Sequence, residues 1–198
     1  MAVVTASSPN LPPSDEQLLV RFARGDRGAL EILFQRYREV AYRVAYRLLG
    51  NEADAFDAVQ DGFIKALTHL GGFEQRSSFK TWLLRVVSNA SLDLGRQRAR
   101  RETVPLDRPE TPDLEALSTD PSMDPVQEFE RADLREALDA ALAQLPEAQR
   151  RTFVLHVDGG LSYREVAELM KISIGTVMSR LFYARQKLKG LLASRINL

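Results

Sequence analysis

The sequence predicts an all-α fold: two small helical domains joined by a flexible acidic linker, with a helix-turn-helix in the second domain. Three observations predict it. Apolar residues recur at helical spacing in both halves of the chain. Prolines at 105, 109, 112, 121 and 125 rule out a long helix in the middle, where apolar positions are also sparse. Charge is segregated into two basic blocks flanking an acidic one. The expected boundaries are a first domain over 14–101, a linker over 102–127 and a second domain over 128–198.

The elements follow in order. Leu30, Leu33, Phe34, Tyr37, Val40, Ala41, Val44, Ala45 and Leu48 keep one helical face, and Gly50 and Asn51 stop that helix. A second helix runs from about Asp54 to Leu67, with Phe56, Val59, Phe63, Ile64 and Leu67 expected inward, and "LGGF" breaks it. A third runs from about Ser78 to Arg98 on Phe79, Trp82, Leu83, Val86, Val87, Ala90 and Leu94. Beyond the linker, Leu134, Leu138, Ala141 and Leu142 mark a helix ending before Pro146. Pro146 suits the first turn of the next, "PEAQRRTFVLHVD". The N-terminal "MAVVTASSPNLPPSDEQ" reads as a loose leader.

Composition narrows the function. With 198 residues, 44% hydrophobic, the chain is long enough for one medium domain or two small ones. No apolar run approaches the ~18 residues of a membrane span, and the N-terminus lacks a basic start and apolar core. A cytoplasmic protein without membrane insertion is expected. With no cysteine, disulfides, thiolate metal sites and cysteine nucleophiles are excluded. The net charge of zero is a cancellation: residues 102–145 hold twelve acids against Arg108, Arg131 and Arg135, while 73–101 and 146–198 are basic. Two basic blocks suit nucleic acid.

The stretch "LSYREVAELMKISIGTVMSRLFYARQKL", Leu161 to Leu188, carries the most chemistry. Ser162 and Glu165 form a capping box, and Ser173 can cap a second helix after a short break at Lys171 and Ile172. Val177, Leu181, Ala184 and Leu188 form an inward stripe. Gly175, Thr176, Met178, Ser179, Phe182, Tyr183, Arg185 and Gln186 are left outward, with Arg180 at the margin. A helix-turn-helix presenting short polar side chains to base edges and cations to phosphates fits this pattern, as does a helical hairpin with a solvated face.

The stretch "FEQRSSFKTWLLRVVSNASLDLGRQRAR", Phe73 to Arg100, interleaves aromatics, small polar groups and bases. Rings stack on unpaired bases and cations track phosphates; the spacing of Phe79 and Trp82 equally suits a core. Asp54, Asp57 and Asp61 share one helix. They fit a solvated face paired with Lys65, an acidic surface for a basic partner, or a cation site that lacks its customary His or Glu companions.

Together these segments resemble a bacterial sigma factor of the extracytoplasmic-function type, in the sigma-70 family. "NEADAFDAVQDGFIKAL", Phe79 to Asp93 and Leu161 to Leu188 match three of the family's motifs in order. The resemblance implies a non-enzymatic factor, with no catalytic residue, metal or cofactor, that binds core RNA polymerase and directs it to promoter DNA. It implies polymerase docking through Asp54, Asp57, Gln60, Asp61, Phe63 and Lys65. Phe73, Arg76, Ser77, Ser78, Phe79, Lys80, Arg85, Asn89, Arg96 and Arg98 would meet the minus-ten element as melted single strand. Arg164, Thr176, Met178, Ser179, Arg180, Tyr183 and Arg185 would meet the minus-35 element as duplex. An anti-sigma partner is implied too. The alternative is a free-standing helix-turn-helix regulator, which leaves the N-terminal motifs unexplained. The chain departs from the motifs at Phe56, Gly62, Lys171, Met178 and Tyr183. Gly62 inside a helix should cost about 0.5–1 kcal/mol against alanine.

Overall fold

A computed structural model describes residues 12–69, 77–102 and 125–196. Among these it contains helices α1 (Asp15–Ala23), α2 (Arg27–Leu49), α3 (Glu52–Thr68), α4 (Phe79–Glu102), α5 (Pro125–Ala143), α6 (Glu147–Val157), α7 (Tyr163–Met170) and α8 (Ile174–Ile196), and no strand. Most of the expected linker, the "LGGF" break, Phe73 and Arg76 lie outside the described residues. The chain divides into compact units at residues 1–39 and 40–198, with α2 running across the division.

In the first unit, part of the expected leader is helical. Ser14 accepts from the Gln17 amide, and the Gln17 side chain reaches back to Ser14 N at 3.0 Å, a capping box that starts α1. Gly25 takes φ 94° between α1 and α2. Asp26 Oδ1 then accepts from Gly28 N at 3.0 Å, at the start of α2. Leu18, Leu19, Ala29 and Leu33 are buried.

In the second unit, α3 packs on α4 through small residues. Ala55, Ala58, Val59, Gly62, Phe63 and Ala66 are buried. Phe56 and Ile64, expected inward, are 49% and 52% exposed. The inward face of α3 is built on alanine and glycine, so the two backbones approach closely. A Cβ on Gly62 would lie 2.6 Å from Val87 Cγ2 and 3.2 Å from its Cα. The helix-breaking residue is therefore the one the crossing needs.

The C-terminal helices close a second core. Ala141, Leu142 and Leu145 meet Ala184 and Leu188, with Leu138, Phe153, Leu191 and Leu192 at the edge. The expected capping box forms: Glu165 N donates to Ser162 Oγ, and Ser162 N donates to Glu165 Oε2 at 2.9 Å. Lys171 ends α7 in the left-handed region at φ 55°, ψ 47°. Ser173 Oγ then accepts from Thr176 N at 3.0 Å to open α8. Val177, Leu181, Ala184 and Leu188 are all buried, as their spacing requires.

Two outcomes follow for stability, both read from chemical-denaturation midpoints. Gly62→Ala should destabilise by about 1–2 kcal/mol, because striking Val87 outweighs the gain in helix propensity. Lys171→Gly should stabilise by about 0.5–1 kcal/mol, because it removes the left-handed strain of a residue with a Cβ.

Candidate nucleic-acid interface

The first candidate surface is α4. Ser78 Oγ accepts from Thr81 N at 3.1 Å and so starts the helix. That start places Phe79 inward. Its ring is 2% exposed and lies against Trp82, with centroids 6.0 Å apart. Phe79 is thus a core residue and offers no face to a base, contrary to the sequence expectation. Ser77, Lys80, Trp82 and Arg85 are half-buried, and Asn89 is exposed. Arg96 and Arg98, near the end of α4, are exposed and ion-paired: Arg96 to Glu147 at 2.7 Å, Arg98 to Asp54 at 2.7 Å.

This α4 surface is occupied from within the same unit. Thr81 Oγ1 donates to Glu165 Oε1 at 2.7 Å. Arg151 Nη2 donates to Ser88 Oγ at 3.0 Å and to Asn89 Oδ1. Burial pushes the Glu165 carboxyl up, but bonds from Thr81 and Ser162 outweigh it, so the group titrates below the ordinary range. Burial pushes the Arg151 guanidinium down, and its Nε has no hydrogen-bond partner. Arg47 of α2 adds another tie, bonding Asp139 of α5 and lying 3.7 Å from Asp158. Sequence reasoning missed Arg151 and Glu165 as part of this surface. Glu165 was already accounted for by its cap, and nothing local marks Arg151.

The second surface is the outward face of α8. Met178 is 55% exposed, and Phe182 and Tyr183 stand beside it edge to face, with centroids 5.4 Å apart. Ile174, also exposed, precedes Met178 by one turn. Ile174 was missed, although the spacing Ile174, Met178, Phe182 is a helical stripe. Thr176 and Arg180 are half-buried at the margin; Ser179 and Arg185 are exposed. Arg164 on α7 projects into solvent, 4.0 Å from Glu168. The arrangement offers apolar groups and hydroxyls along one helix with cations at its edges, which is what a groove of duplex DNA can accept.

The third surface is acidic. Asp57, Gln60, Asp61 and Lys65 are exposed on α3 and line a groove of about 270 Å³ with Asp93 and Gln97 of α4. Two expected members are not freely presented there. Phe63 is 4% exposed, because the α3–α4 crossing needs its ring inside, and Asp54 is held by Arg98 and Asn51. Among the described residues no His, Asp and Glu cluster could hold a metal ion, and no helix is long and apolar enough to cross a membrane.

Comparison with known proteins matches these surfaces to a family. Residues 33–101 match the model of sigma-70 region 2, and residues 135–188 that of sigma-70 region 4. The chain is 36% identical to the RNA polymerase sigma-H factor of Pseudomonas aeruginosa, over 87% of this chain and 90% of that one. It is also 36% identical to the ECF RNA polymerase sigma factor SigE of Mycolicibacterium smegmatis, over 91% of this chain and 70% of the relative. Among solved structures it is similar to CnrH in complex with the cytosolic domain of CnrY, with TM-score 0.67, 25% identity and coverage of 92% and 99%. It is similar too to the sigma factor RpoE bound to the anti-sigma factor NepR from Bartonella quintana, with TM-score 0.60, 26% identity and coverage of 82% and 98%. With both family regions present in order and relatives aligned over most of its length, the chain belongs to the extracytoplasmic-function group of sigma-70 factors, which are non-enzymatic transcription initiation factors.

Proposed function

We propose that this factor reads a promoter in two forms, the minus-35 element as duplex through α8 and the minus-ten element as melted strand through α4. The observation that carries the reading is the division of α8: one face is entirely core, and the face from Thr176 to Arg185 is left to solvent with its hydroxyls, rings and cations. On α4, Asn89 supplies the polar edge for an unpaired base, beside Trp82 and Arg85, and Arg96 and Arg98 follow the backbone. The acidic face of α3, with Asp57, Asp61 and Gln60, is the docking surface for basic residues of core polymerase. In this reading residues 14–101 and 128–198 are the two working domains, and the acidic stretch 102–127 spans the polymerase between them. A cytoplasmic location and an anti-sigma partner belong to the same proposal. The partner is supported by the two similar structures, RpoE with the anti-sigma factor NepR and CnrH with the cytosolic domain of CnrY.

The arrangement on α4 adds a condition. Asn89 cannot meet a base while Arg151 holds it, so α6 must leave α4 before the strand is captured. Polymerase binding supplies that change by favouring the separated form. The direct test is transcription with purified core polymerase on genomic fragments, with start sites mapped. Specific initiation is expected, and its absence would remove the promoter reading.

Two variants refine the reading. Arg151→Ala should raise binding of minus-ten single strand by the free protein several-fold, measured by fluorescence anisotropy; unchanged affinity would show that Asn89 is not withheld. Met178→Arg should tighten duplex binding and steepen its salt dependence by about 0.9 in log–log slope, one phosphate contact. A slope that stays put would mean that Met178 does not face DNA.

A further inference from the structure

The outward face of α8 is apolar at its N-terminal end. Ile174, Met178 and Phe182 follow one another at every fourth residue and are 47%, 55% and 59% exposed. The hydroxyls beside them are largely engaged within the helix. Ser173 Oγ and Thr176 Oγ1 share a hydrogen bond at 2.8 Å, and Ser179 Oγ donates to the Thr176 carbonyl oxygen at 3.0 Å. At most one of these three hydroxyl hydrogens is left for a ligand. The first side chain on the helix that can give two parallel bonds is Arg180, half-buried at the margin. From Ile174 to Ile196 the helix holds no acidic residue, and Arg180, Arg185, Lys187 and Lys189 make it basic.

A basic helix with an apolar stripe is complementary to a polyanion that has apolar groups set between its charges. The major groove of duplex DNA has that character: phosphates line its rims, and the C5-methyl of thymine is the apolar group on its floor. We propose that α8 selects duplex DNA by thymine methyl groups, which Ile174 and Met178 cover. The inference rests on the duplex reading of α8 and names what that face distinguishes. A recognition helix presents its N-terminal residues to base edges, which puts Ile174 and Met178 on the floor of the groove and Phe182 and Tyr183 nearer its rim. Ile174 and Met178 lie about 6 Å apart along the axis, about two base-pair steps, so they cover separate thymines. The flexible thioether of Met178 follows a methyl group without needing a fixed partner geometry. The donors and acceptors of a G·C pair meet nothing on either side chain that can answer them.

The test uses the full chain bound to purified core RNA polymerase. Duplexes enriched from a randomised pool are remade with uracil at one thymine at a time, which removes only the methyl group, and their affinities are compared by competition. The enriched duplexes should share a thymine-bearing element, and uracil within it should weaken binding by about threefold to fivefold per methyl. In Met178→Ala one of these positions should become indifferent to uracil, and in Ile174→Ala a neighbouring one. Both residues are exposed, so the core beneath α8 is untouched by the changes. Met178→Arg should lose the same methyl response while its affinity holds or rises, which separates methyl reading from affinity. An enriched duplex whose affinity ignores uracil, or whose uracil response is unchanged in both alanine variants, overturns this inference and leaves the promoter reading standing. Failure to enrich any duplex removes the promoter reading, and this inference with it.

Discussion

The close crossing of α3 over α4 at Gly62 is the constraint on which the N-terminal working surfaces depend. Only a residue without a side chain lets Val87 seat where it does, within contact distance of the α3 backbone. The lost helix propensity, about 0.5–1 kcal/mol, is modest beside the apolar area that the approach buries, at roughly 25 cal/mol per Å². Once the two helices are seated, the directions of their other faces are set. Asp57, Gln60 and Asp61 point outward on α3, and Thr81, Ser88 and Asn89 turn towards α6 and α7. The acidic surface and the reading surface thus share one piece of packing, although they serve different partners in the proposed function.

The ties from α4 to α6 and α7 are of another kind. They are hydrogen bonds and ion pairs, several of them exposed, and such pairs contribute little net stability each. The guanidiniums of Arg150 and Arg151 lose solvation there and leave an Nε unmatched. A contact built from imperfectly satisfied polar groups holds an arrangement in register without holding it strongly. The apolar cluster among α5, α6 and α8 has no such defect in its core residues. The second unit therefore combines well-packed helices with a weaker join between α4 and α6–α7, which in the proposed function lets the two readers separate along a promoter.

Much of this was legible in the sequence, and the failures have physical reasons. The inward stripe of α8 was readable because Val177, Leu181 and Leu188 are large and evenly spaced, and the Ser162–Glu165 box because capping is local chemistry. The same signal at Ser14 and Gln17 was passed over, because the nine-residue helix it starts is too short to show a strong period. On α3 the apolar pattern points to Phe56 and Ile64, since large residues dominate it; the buried face is mostly alanine and glycine, which barely register in such a pattern. Phe63 and Phe79 were placed at interfaces because motif membership does not separate a residue that touches a partner from one that supports it. The role of Arg151 arises only when helices distant in sequence meet, and no spacing rule reaches that far.

Glu165 shows how such a weak join can part without disturbing the helix pair beside it. Its two oxygens have separate duties: Oε1 accepts from Thr81 across the join, and Oε2 accepts from Ser162 within the cap. Losing the first leaves the second intact, so the start of α7, and with it the seat of α8, has the same support whether or not α4 is near. The carboxylate thus insulates the cap of α7 from the contact with α4. In the proposed function, the helix pair that addresses a duplex is then in its working shape before release, and release carries no refolding step.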